Sequence, residues 1–124
     1  MIVLDTSVLV EGLGSGGTMR QALRDALARR ERMLVPALVL YEWLRGPRHP
    51  AELAAQEALF PGEDAIPFGL REARIAAELY EAVTRPRGRE IDLAIAACAL
   101  SWDARLWTLD VEDFEDVPGL ELVR

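Results

Sequence analysis

An α/β fold, with a mainly parallel sheet held between layers of helices, is what this chain predicts. Three observations carry that prediction. Short apolar runs such as Ile2-Val3-Leu4 and Leu106-Trp107 end in acidic or turn-forming residues, as buried strands do. Longer segments with apolar residues at helical spacing lie between them. One of these, Glu90 to Trp102, is apolar almost all round, which marks a helix at the centre of the molecule.

The elements follow in order. Met1 to Leu4 reads as the first strand, bounded by Asp5-Thr6-Ser7, and Thr6 suits the N-cap of a helix after it. A Gly/Ser-rich loop runs from Gly12 to Gly17. Thr18 then caps a helix with apolar positions Met19, Ala22, Leu23, Ala26 and Leu27; its charged residues, Arg20, Arg24, Asp25, Arg29 and Arg30, face solvent. Met33 to Val35 is a second strand. Pro36 suits the first turn of a helix reaching about Leu44, which Gly46-Pro47 stops. Ala51 to Phe60 forms another helix, ended by Pro61-Gly62, and completes a helical hairpin. Ala65 to Phe68 is a weak strand that Pro67 confines to a sheet edge. The helix from Leu70 to Val83 shows a stripe of Leu70, Ala73, Ala77 and Tyr80, and Arg85-Pro86-Arg87-Gly88-Arg89 breaks it. After the central helix come a strand at Arg105 to Thr108, a turn or short helix at Val111 to Phe114, and a last strand at Leu120 to Val123. Trp43, Trp102 and Trp107 lie in apolar runs and are expected in the core.

Composition narrows the function. A chain of 124 residues, 51% hydrophobic and 28% charged, fits one soluble domain over residues 1–124. No apolar stretch approaches the roughly 20 residues of a membrane span, and no secretory signal opens the chain, so a cytoplasmic protein is expected. The lone Cys98 sits among alanines as a small core side chain, and the lone His49 lies in a Pro-rich turn. A net charge of −7 argues against general nucleic-acid binding through a basic surface. It does not exclude a nuclease, because a cation inverts the field of clustered acids locally. All 14 basic residues are arginine. Without lysine there is no P-loop, no kinase strand lysine and no Schiff-base amine.

Asp5, Glu42, Asp92 and Asp110 each interrupt or end an apolar run. A charge placed there is costly unless it is paired or binds a cation. Carboxylates are hard oxygen ligands suited to Mg²⁺ or Mn²⁺, and such an ion orients and acidifies water for attack on a phosphate. Asp113 is a candidate ligand through water, while Glu112, Glu115 and Asp116 read as surface charges. Thr6, Ser7 and Thr108 sit beside the acids, where their hydroxyls can hold a carboxylate's second oxygen. Arg45, with Arg85, Arg87 and Arg89, would give the negative centre a positive rim for flanking phosphates.

These segments resemble the PIN domain, in particular the VapC-type toxin ribonucleases. The matching stretches are Ile2-Val3-Leu4-Asp5-Thr6-Ser7-Val8-Leu9, Val39-Leu40-Tyr41-Glu42, Arg89 to Ala97, and Leu106-Trp107-Thr108-Leu109-Asp110-Val111-Glu112-Asp113-Phe114. The ending Val117 to Val123 is similar to that family's last strand. The resemblance implies a three-layer fold with strand order 3-2-1-4-5 and the acids in one pocket. It carries the metal-binding roles to Asp5, Glu42, Asp92 and Asp110, and a further acid to Asp113. It also implies a Mg²⁺- or Mn²⁺-dependent endoribonuclease acting on RNA such as tRNA or rRNA, a homodimer, and a cognate antitoxin that wraps the helical hairpin and blocks the pocket. Two alternatives stand beside it. A phosphotransferase with Asp5 as nucleophile would want an acid where Ser7 stands and a lysine. A PIN-like RNA- or protein-binding module with little turnover would suit the acidic surface and a basic protein partner.

Overall fold

The computed structural model describes residues 1–124. At its centre is β1 (Ile2–Leu4), which pairs in parallel with β2 (Met33–Leu34) on one side and β3 (Arg105–Trp107) on the other. Ile2 lies opposite both Met33 and Arg105, so the three strands start level, and β2 ends one residue before the other two. Its three residues, all apolar, are buried, as expected for a strand covered on both faces. Beyond β2 the sheet continues only as a parallel bridge between Pro36 and Ile66, and beyond β3 only as one between Leu106 and Leu122. Counting those bridges, the order across the sheet is the expected 3-2-1-4-5. The segments 65–68 and 120–123 are thus pinned at one residue each rather than paired along their length. Ile66 N–H donates to Val35 O at 3.0 Å, and Leu106 N–H donates to Glu121 O at 2.8 Å.

The helices are α1 (Thr6–Leu13), α2 (Arg20–Ala28), α3 (Ala37–Arg45), α4 (Pro50–Leu59), α5 (Leu70–Ala82) and α6 (Glu90–Ser101). The helix α6 is the hydrophobic axis: every residue from Leu93 to Ala99 is buried, Cys98 among them. It packs on α5, on β1 and β3, and on α3. Trp43 and Phe114 are the largest side chains wholly inside the core. Trp107 is half-buried, while Trp102 is 36% exposed and so is not the core residue expected. No helix is long and apolar enough to cross a membrane.

Three local expectations are corrected. Gly12 opens no loop. It belongs to α1 and is buried, and a Cβ there would come within 2.7 Å of Leu23 Cδ2, so glycine lets α2 approach α1. The N-cap of α1 is Asp5, not Thr6, and α2 begins at Arg20 after Met19 without a side-chain cap from Thr18. The stripe Leu70, Ala73, Ala77 and Tyr80 faces outward, Leu70 being 68% exposed. The inner face of α5 is instead Glu72, Ile75, Ala76 and Leu79. Glu72 is tolerated inside because its carboxylate accepts the Ser101 hydroxyl at 2.9 Å and Gly69 N–H at 3.1 Å.

Candidate metal centre

Asp5 is placed by the backbone before its side chain is considered. Its N–H donates to Trp107 O at 2.9 Å and closes the β1–β3 ladder, and its carbonyl accepts Val8 N–H at 3.1 Å and opens α1. The residue therefore sits at the carboxyl end of the central strand and at a helix start. That is where ligand crevices form in parallel sheets. Only 4% of its surface is exposed.

Two hydroxyls converge on one oxygen of that carboxylate. Thr108 Oγ1 donates to Asp5 Oδ2 at 2.7 Å, and Ser7 Oγ donates to the same atom at 3.0 Å. Both hydroxyls are themselves oriented, Thr108 by Asp110 N–H and Ser7 by Leu109 N–H, each at 3.0 Å. The other oxygen, Oδ1, is left without a side-chain partner. Thr6 acts elsewhere: its hydroxyl donates to Glu42 Oε1 at 2.6 Å and ties the start of α1 to α3. The three hydroxyls expected beside the acids therefore each hold a carboxylate. Glu42 also receives Arg45 Nη2 on Oε2, at 3.4 Å.

Asp5, Glu42, Asp92 and Asp110 line one cavity of about 410 Å³, together with Thr6, Ser7 and Glu11. Glu11 was not singled out from the sequence. Its position in α1, six residues after Asp5, was hidden while residues 12–17 read as a loop starting earlier than it does. Asp113 does not line the cavity, but its charge acts on Asp92. Burial pushes the Asp92 carboxyl up to about 6, helped by the negative charges of Asp5, Asp113 and Glu42 and opposed by Arg89. Burial also raises Asp5, with Asp110 adding to it, against the lowering hydrogen bonds from Thr108 and Ser7. The centre thus holds more negative charge than its cations offset.

No three acidic, histidine or cysteine side chains stand close enough to make a closed ligand cage. The donor set nevertheless fits a hard divalent ion. Mg²⁺ usually takes one or two carboxylates directly and keeps several waters, and Asp5 offers a fixed carboxylate whose second oxygen no side chain engages.

The arginines do not form one rim. Arg45 stacks over Tyr41, 5.2 Å from the ring centre, beside Glu42, and its side chain is 58% exposed. Arg85 and Arg87 are exposed in the turn before α6. Arg89 corrects the expectation of a free phosphate contact. Its Nη2 donates to Asp116 Oδ1 at 2.6 Å and to Asp113 O at 2.8 Å, and its Nη1 donates to Asp116 Oδ2 at 3.0 Å. The Asp116 hydrogen bond raises Arg89 above its ordinary value, and Arg89 holds the Asp116 carboxyl below the usual range. Arg89 thus fastens the segment after β3 to the start of α6. Arg89→Ala is expected to cost about 1–3 kcal/mol by analogy with other charge-assisted pairs, read in urea unfolding; an unchanged midpoint would show that the clamp contributes nothing.

The sequence profile of the PIN domain matches residues 2–120. The chain is similar to Ribonuclease VapC19 of Mycobacterium tuberculosis, 30% identical over 128 residues that cover 98% of each chain. Several solved structures share its fold, and two of them serve as examples. One is VapBC2 from Rickettsia felis bound to a promoter DNA fragment, with a TM-score of 0.76, 21% identity, and 99% of this chain and 98% of that one covered. The other is DNA-bound VapBC from Salmonella typhimurium, with a TM-score of 0.78, 19% identity, and 98% and 96% covered. A profile match over nearly the whole chain, with a curated relative of the same length, settles the family: the chain belongs to the PIN domain family, as a VapC-type member.

Proposed function

We propose that this protein is a divalent-metal-dependent endoribonuclease and the toxin of a toxin–antitoxin pair, acting in the cytoplasm. One observation carries the reading: four carboxylates far apart in the chain line a single cavity, where burial, aided by neighbouring negative charge, raises the buried Asp5 and the half-buried Asp92. In that reading Asp5, Glu42, Asp92 and Asp110 hold Mg²⁺ or Mn²⁺, with Asp113 contributing through water. Bound there, the cation supplies activated water and neutralises charge on the attacked phosphodiester. The chain's own residues position it: Ser7 and Thr108 hold Asp5 by Oδ2, leaving no side chain on Oδ1, and Thr6 fixes Glu42. Arg45, Arg85 and Arg87 are the exposed cations suited to flanking phosphates. In-line attack leaves 5′-phosphate and 3′-hydroxyl ends on an RNA such as tRNA or rRNA.

Two surfaces support the expected partners. Leu13, Leu23, Leu27 and Leu59 line a groove of about 370 Å³ between α1, α2 and α4, with Arg20, Arg24 and Glu52 at its sides. An amphipathic antitoxin segment fits it. Phe68, Tyr80 and Ile91, all at least 38% exposed, border a second apolar groove over α5 and α6, which suits a homodimer.

The test is direct. Purified protein with Mn²⁺ is expected to show a higher melting temperature than with a chelator, and to cut RNA leaving ligatable 5′-phosphates. Metal-dependent stabilisation without any cutting would leave a binding module instead, and neither effect would remove the metal centre altogether.

A further inference from the structure

Glu11 is the one cavity-lining acid outside the metal-binding four. Its Oε2 accepts the Thr18 hydroxyl at 2.8 Å and Thr18 N–H at 3.4 Å. Its main-chain carbonyl accepts Met19 N–H at 3.0 Å. Glu11 is therefore the post to which the glycine-rich turn returns, a turn that Gly16 and Gly17 make with φ of +86° and +20°. Its Oε1 has no hydrogen-bond partner, and no arginine pairs with it.

A carboxylate held this way at the mouth of a phosphodiester-cleaving cavity repels phosphate. What it complements is a donor. The nucleotide groups that donate at neutral pH are the imino and amino groups of the bases and the ribose hydroxyl. We propose that Glu11 is a specificity-determining residue: its Oε1 accepts a hydrogen bond from a base imino or amino group beside the scissile phosphate, while Thr18 fixes the carboxylate. The inference rests on the ribonuclease reading above and adds to it which nucleotides are chosen. Thr18 is a positioning residue in this scheme, acting through Glu11.

The experiment measures kcat/KM of the whole protein, with Mn²⁺, on short single-stranded RNAs randomised at the positions flanking the cut. Glu11→Ala is expected to reduce discrimination among bases at one flanking position about tenfold, the scale of one hydrogen bond to a charged group. Thr18→Val keeps Glu11 but loosens it and is expected to blur the same position less. Glu11→Gln, which retains an acceptor for Thr18 and adds a donor, is expected to change the preferred base there rather than abolish choice. An equal loss of rate on every RNA, with the base profile intact, would overturn the proposal in favour of a purely structural role. So would loss of Mn²⁺-dependent thermal stabilisation in Glu11→Gln, which would make Glu11 a metal ligand. A base profile unchanged in Glu11→Ala would also overturn it. If the wild type itself cuts no RNA, the ribonuclease reading fails and takes this inference with it, an outcome distinct from the others.

Discussion

Asp5→Asn is expected to reduce RNA cleavage by about 10³-fold or more while leaving the fold intact. The expectation of an intact fold comes from the hydrogen bonds. An asparagine Oδ1 can take both hydroxyl donors, Ser7 and Thr108, that now converge on Asp5 Oδ2, so β1 and β3 remain tied across the site. What changes is the atom facing the cavity, where an amide N–H₂ replaces a carboxylate oxygen. That group cannot ligate a hard cation, and the loss of several kcal/mol of charge stabilisation in the transition state corresponds to three or more powers of ten in rate. Circular dichroism and melting temperature should match the wild type, or exceed it, since a buried charge is removed. Undiminished cutting by the variant would end the assignment of Asp5 to the metal.

Asp92→Asn is expected to do something less usual: raise the melting temperature of the metal-free protein while erasing its response to metal. In the folded chain the Asp92 carboxyl stands at about 6 against an ordinary value of 3.8. Between those two pH values the folded state binds the proton more tightly than the unfolded state. This group therefore makes stability fall as pH rises through that window, and above about 6 its penalty is fully present. Asp5, raised for the same reason of burial, acts in the same direction. Asp116 acts oppositely, because Arg89 lowers it and the stability it lends is lost on acidification. The metal-free wild type should therefore be more stable in mild acid than at pH near 8. Asp92→Asn should flatten that slope and raise the melting temperature at pH near 8 by about 3–6 °C, the shift that roughly 1 kcal/mol produces in a domain of this size. Mn²⁺ should stabilise the wild type most above the Asp92 titration, where no proton competes, and should leave the variant unmoved. A variant that melts lower than wild type without metal would show that Asp92 is a structural acid whose charge the fold requires. The contrast places stability and function in opposition at one residue.

Much of this was legible in the sequence because the strongest signals were apolar. The helix α6 announced itself by having no polar face, and β1 by three apolar residues stopped by an acid. The four acids stood out because each broke such a run. What was hidden has particular causes. The helix α5 carries apolar residues on two faces, and its inner face includes Glu72, a charge whose burial depends on Ser101 from another helix. Spacing alone therefore favoured the wrong stripe. Gly12 looked like a loop residue because its reason for being glycine, the closeness of Leu23, is a tertiary contact. Thr18 looked like a helix cap, yet its hydroxyl bonds Glu11 on the preceding helix. Arg89 sat among exposed arginines in sequence, but its partner Asp116 lies 27 residues away.

The narrowness of the sheet has a consequence for recognition. Each outer flank is engaged at a single residue, with prolines at positions 36 and 67 beside one of them. These borders are only a few residues long, and Pro67 has no N–H to give, so a visiting chain finds little to ladder onto. Strand donation is therefore a poor route onto this molecule, and any protein that silences it must grip through side chains laid across its helices.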